Sequence, residues 1–155
     1  MAVINEHTPH ILIVEDNPED LETTRRAFAK AGIVNHLHHC EDGDEALDYL
    51  FRRGTFVDRD LYPLPGLILL DLNLPGTDGR EVLAEIKGDE HLKTIPVIML
   101  TTSADERDIQ ACYAAGANSY IQKPVGLEGF VDAVQQLRDF WVGIVLLPLP
   151  QEAGA

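Results

Sequence analysis

The chain has 155 residues, 45% hydrophobic and 25% charged, which suits one globular domain and leaves no room for two comfortable ones. Its formal net charge of −14 excludes nucleic acid and anionic membrane surfaces as natural partners, because both need Lys and Arg against phosphate. Cys40 and Cys112 lack redox or metal spacing and residues 1–7 lack the basic and apolar parts of a signal peptide, so a reduced, cytoplasmic protein is expected.

Residues 11–14 are wholly apolar and read as a strand ending in the acidic pair Glu15-Asp16. Asn17-Pro18 predicts a helix start, with Asn as cap and Pro in the first turn, and Gly32 supplies the stop. Residues 33–40 predict a short strand interrupted by His36, His38 and His39. Alternation puts the first two of these on one face and the third on the other, which argues against a shared metal. Ala46, Leu47, Leu50 and Phe51 mark the inner stripe of the next helix, and the proline-marked segment 52–65 reads as a loop.

Residues 66–71 read as a buried strand delivering Asp71 to a rim, with Pro75, Gly76 and Gly79 turning the chain at once. Val82, Leu83 and Ile86 set a further helix. Residues 97–100 form another apolar strand, ending in Thr101-Thr102. Asp105 opens a helix expected to face inward through Ile109, Cys112 and Tyr113. Residues 118–122 read as a last short strand leading to Lys123-Pro124, a candidate cis peptide. Phe130, Val134, Leu137 and Trp141 define the final helix. This alternation predicts an α/β fold, a doubly wound five-stranded parallel sheet with helices on both faces and a site beyond the carboxyl ends of the strands.

The strand ends offer carboxylates, a hydroxyl and an ammonium, a set suited to Mg²⁺ and a phosphoryl group. Asp16 and Asp71 are expected to give oxygens directly, Asn73 its backbone carbonyl, and Glu15 an oxygen through water. Three carboxylates held together repel, so one tends to stay protonated without a cation. Asp71 is then a credible nucleophile, with Lys123 and the Thr101 hydroxyl on the phosphoryl oxygens.

Glu15-Asp16, Asp71 within Leu70-Asp71-Leu72-Asn73-Leu74-Pro75-Gly76, Thr101, Tyr120 and Lys123-Pro124 together resemble the receiver domain of the two-component response-regulator superfamily. That resemblance implies the flavodoxin-like strand order 2-1-3-4-5 and a receiver over residues 10–141, between an arm (1–9) and an apolar tail (142–155). It implies a signalling phosphoacceptor with self-catalysed phosphorylation and dephosphorylation, not a metabolic enzyme, in which Thr101 and Tyr120 switch the face spanned by residues 105–141. More narrowly, the run from Asp71 to Leu83, the long loop before it and Phe140-Trp141 are similar to stand-alone regulators of cyanobacterial phytochromes. This implies a phytochrome-type sensor histidine kinase as phosphodonor and a homodimer. An exposed apolar tail invites aggregation, so it either folds back or meets a second copy, with Phe140, Trp141 and Ile144 as dimer contacts.

Two other functions fit less well. A phosphatase of the haloacid-dehalogenase type needs a second acid where Asn73 stands, and a pseudo-receiver acting only as a dimerising scaffold would not need the full acidic set.

Overall fold

The computed structural model describes residues 9–139. Five parallel strands, β1 (Ile11–Val14), β2 (Leu37–Cys40), β3 (Leu67–Leu70), β4 (Val97–Thr101) and β5 (Ser119–Gln122), lie in the order β2-β1-β3-β4-β5. Between and after them run α1 (Pro18–Lys30), α2 (Gly43–Leu50), α3 (Gly79–Gly88), α4 (Glu106–Ala114) and α5 (Gly126–Leu137). β1 and β3 are buried at every position because helices cover both faces of the sheet. Their side chains alternate between two cores. Ile11, Ile13, Leu67, Leu69 and Ile98 meet Ala27 and Phe28 of α1 and Phe130, Val134 and Leu137 of α5. Leu12, Val14, Ile68, Leu70, Val97 and Met99 meet Ala46 and Leu50 of α2, Val82, Leu83 and Ile86 of α3, and Cys112 of α4.

Local chemistry sets the helix ends. The Asn17 side-chain oxygen Oδ1 accepts from the N–H groups of Glu19 and Asp20 with Pro18 behind it, so α1 starts immediately after the acidic pair. Its C-terminus closes on Gly32 at φ 75°, with Ile33 N–H donating to Phe28 O. Asp42, Asp78 and Asp105 cap α2, α3 and α4.

Four sequence expectations need correction. β2 begins at Leu37 and not at residue 33, because Ile33 is taken up in closing α1. β5 begins at Ser119, one residue later than read, and Asn118 instead spends its side-chain oxygen on Val97 N–H. Tyr113 is 48% exposed and not on the inner face of α4: only Cys112 of that helix is buried, and the Tyr113 hydroxyl accepts from Tyr120 N–H at 3.1 Å. The Lys123–Pro124 bond is trans, since no cis peptide occurs among the described residues, and Lys123 N–H donates to Thr101 O at 2.7 Å.

Segment 52–65 is a packed appendage. It contains a short 3₁₀ turn (Gly54–Phe56), and its Arg59 guanidinium donates to the carbonyls of Tyr49, Leu50 and Tyr62 at 3.0, 2.9 and 3.1 Å. Phe56 and Tyr62 close on the buried Tyr49 ring, whose hydroxyl donates to Pro63 O. His38 and His39 of β2 separate by face as alternation requires, with His36 just before the strand. His38 pairs with His10 at 2.9 Å, the His36 ring stacks on His10, and the His39 ring bonds Glu15 O on the other side.

Candidate functional site

The acidic pair and Asp71 reach the same edge because β1 and β3 are neighbours in register, Val14 opposite Leu70. Main-chain bonds fix both strand ends: Glu15 N–H donates to Cys40 O, and Asp71 N–H to Val14 O at 3.1 Å. One carboxylate oxygen from each of Glu15, Asp16 and Asp71 lies within 4.8 Å of the others. Glu15 and Asp71 are buried while Asp16 is exposed, so the cluster opens to solvent on the Asp16 side. A Cβ on Gly79 would stand 2.2 Å from Asp71 O, so α3 starts flush beneath the acidic rim only because that residue is glycine. Asn73 N–H donates to Asp71 Oδ1 at 3.2 Å, which aims the other oxygen, Oδ2, into the pocket.

Lys123, carried in from the end of β5, lies at the centre of the cluster with its side chain only 6% exposed. Its Nζ is 2.6 Å from Glu15 Oε1, 2.8 Å from Asp20 Oδ2 and 2.9 Å from Asp71 Oδ2. Burial works against the ammonium, but the bonds from Asp20, Glu15 and Asp71 outweigh it and raise its pKa, so Lys123 is charged. Burial pushes the Glu15 carboxyl up to about 7; the Asp71 charge adds to this, and the Lys123 bond opposes it. Desolvation thus raises Glu15 more than the neighbouring Asp71 charge does, whereas the sequence pointed to mutual repulsion as the cause.

Thr101 ends β4 on the same edge and is fully buried, its Oγ1 accepting from Ser103 N–H at 3.4 Å. Tyr120 is half-buried and packs on the core beneath α4, its hydroxyl donating to Ser103 O at 2.9 Å. Ser103 Oγ in turn donates to Asp108, which also pairs with Arg80 of α3. The β4–α4 loop thus links the Thr101 and Tyr120 positions.

The structure brings together Glu15, Asp16, Asp71 and Lys123, with Thr101 on the adjoining strand and Asn73 at the rim. Asp20 was missed in the sequence. Its only signal was an acid four residues after Asp16, indistinguishable there from the acids common in a first helical turn. Phe140, Trp141 and Ile144 lie outside the described residues. The donors are all carboxylate oxygens, with no imidazole or thiolate, which suits a hard divalent cation such as Mg²⁺, Mn²⁺ or Ca²⁺.

A three-carboxylate pocket with a buried lysine thus stands at the carboxyl edge of a 2-1-3-4-5 parallel sheet. Residues 11–135 match the response regulator receiver domain, and the chain belongs to that family. It is 42% identical to the response regulator Rcp1 of Synechocystis sp. over 138 residues, 89% of this chain and 92% of that one. Among solved structures, the Mn²⁺-bound form of Rcp1 superposes with a TM-score of 0.82 at 41% identity, covering 91% of this chain and 99% of that one. The phosphorylated cyanobacterial phytochrome response regulator RcpA superposes with a TM-score of 0.84, at the same identity and coverage.

Proposed function

We propose that this receiver accepts a phosphoryl group on Asp71 from a sensor histidine kinase of the phytochrome type and signals through protein contacts. The observation that carries the reading is Lys123 Nζ at 2.9 Å from Asp71 Oδ2, beside the oxygens of Glu15 and Asp16. In the transfer, the P–N bond of a phosphohistidine breaks, its electron pair returning to the imidazole, as a P–O bond forms to an Asp71 carboxylate oxygen. The chain's part is mainly positioning and electrostatics. Asn73 N–H and the α3 start hold the Asp71 carboxylate in place, and Lys123 donates to a phosphoryl oxygen as the buried Thr101 hydroxyl turns toward another. Glu15, Asp16, Asp71 and the Asn73 carbonyl would hold Mg²⁺, which when bound offsets the charge of the phosphoryl oxygens. The Mn²⁺ in the Rcp1 structure and the phosphorylated state of RcpA support both assignments.

Thr101 and Tyr120 form the switch in this reading. Movement of the hydroxyl toward the phosphoryl group loosens the loop carrying Ser103, the acceptor of the Tyr120 hydroxyl. The surface remodelled is that of α4, β5 and α5, and the apolar sequence from Phe140, with Trp141 and Ile144, is assigned to pairing two copies.

The test is intact mass after incubation with Mg²⁺ and acetyl phosphate, comparing the unmodified chain with Asp71→Asn. One phosphoryl adduct in the former and none in the latter is the expected result. Equal masses at short quench times would leave a scaffold and not a phosphoacceptor.

A further inference from the structure

A lysine ammonium has three N–H donors and no more. In this structure three carboxylates surround it at hydrogen-bonding distance, Glu15, Asp20 and Asp71, at 2.6, 2.8 and 2.9 Å. With the Lys123 side chain 6% exposed, the ammonium has no water-facing donor in reserve. A phosphoryl group arriving on Asp71 brings equatorial oxygens and a charge near −2, and needs one of those donors. Esterified at Oδ2, Asp71 releases its own donor to the product, but while the phosphodonor approaches all three donors are taken, so an early grip on the phosphoryl group needs Glu15 or Asp20 to give way.

The three acceptors differ in what they can do. The side chains of Glu15 and Asp71 are 4% and 8% exposed, and their remaining oxygens are committed to Asn17 N–H and Asn73 N–H. Asp20 stands in the first turn of α1 with its side chain 32% exposed, and no N–H among the described residues holds its second oxygen in place. A rotation carries it to water while α1 keeps its cap on Asn17.

We propose that Asp20 is a positioning residue that occupies Lys123 in the unphosphorylated protein and yields it to the incoming phosphoryl group. This rests on Asp71 being the phosphoacceptor. Asp20 thereby slows uptake twice over: its carboxylate competes for the ammonium, and its charge repels the anionic donor as it approaches. It also shortens the life of the adduct, because the displaced carboxylate can rotate back from water and compete with the phosphoryl oxygens for Lys123. The residue is a brake on Asp71, set by a side chain outside the acidic trio.

Uptake from acetyl phosphate in Mg²⁺ tests this, its P–O bond to acetate breaking as the bond to Asp71 forms and acetate leaving as the anion. Asp20→Asn keeps the shape and removes the charge. Its uptake is expected to be about three- to tenfold faster, the order for one charge about 4 Å away screened nearly as in water, as suits a side chain 32% exposed, with a longer-lived adduct. Asp20→Glu, which restores the charge, is expected to return the rate toward that of the unmodified chain. Added salt should speed the unmodified chain more than Asp20→Asn, a dependence that a purely structural role would not produce. Rates for Asp20→Asn within twofold of the unmodified chain, or slower, overturn the inference while an Asp71 adduct in both keeps the receiver reading. Absence of any adduct from the unmodified chain removes both.

Discussion

At the residue scale, Glu15 ties the pocket's charge to pH. Its carboxyl is raised by burial to about 7 in the folded chain, above its ordinary value of 4.5. A raised carboxyl favours the fold while it keeps its proton, so the contribution is full below the unfolded value and lost as pH rises through about 7. Without divalent cation, Glu15→Gln should therefore gain in urea midpoint over the unmodified chain as pH climbs through neutrality. With Mg²⁺ present the gap should close or reverse, since the cation takes up the charge that the variant lacks. Denaturation curves at a series of pH values, with and without Mg²⁺, check both halves; a gap that is flat with pH would show that Glu15 is ionised throughout. The acidic pair and Asp71 were legible in the sequence because each ends an apolar run, where a charge is conspicuous. Asp20 was not, because its partnership with Lys123 spans 103 residues and depends on how α1 and the chain after β5 come together.

At the scale of elements, the segment before β3 shows what periodicity cannot report. Residues 52–65 read as a polar, proline-marked loop, yet Arg59 binds the last carbonyls of α2 and the loop's own aromatic residues roof Tyr49. Hydrogen bonds from a charged donor are worth about 1.5–3 kcal/mol each, less where solvent screens them. Arg59→Ala is accordingly expected to cost about 2–4 kcal/mol in urea unfolding and to expose residues 52–65 to thermolysin. Unchanged stability and protection would mean that the aromatic contacts alone hold the segment. The strands and helices themselves were read well wherever a stripe was complete, as in α3, whose Val82, Leu83 and Ile86 are all fully buried. Reading failed at the edges of the sheet. β2 and α4 bury little, so residue 33 looked like strand and Tyr113 looked like core when neither is.

At the scale of the whole molecule, a chain of net charge −14 pairs with itself only if apolar contact outweighs repulsion. The sequence offers such contact after Asp139, in Phe140, Trp141 and Ile144. A chain ending at Asp139 is expected to sediment as a monomer and the full chain as a dimer, with salt favouring the dimer by screening. Equal masses for the two would remove the tail from the interface. The parallel sheet was legible from the alternation of apolar and amphipathic runs, and its strand order from the family resemblance; whether and how copies meet was not, since nothing in a pattern of apolar residues says which surface they cover.

Lys123 joins two of these scales. Its backbone N–H is fastened to Thr101 O at 2.7 Å, and its ammonium to three acids, two just past the ends of β1 and β3 and one in α1. The residue is a rivet through the pocket wall, with one head in the charge cluster and the other in the sheet ladder. Tyr120 sits three residues upstream on the strand so riveted, its ring held by Ser103 O. One residue therefore fixes both the grip on the acids and the end of β5, three positions from Tyr120 with no loop between them.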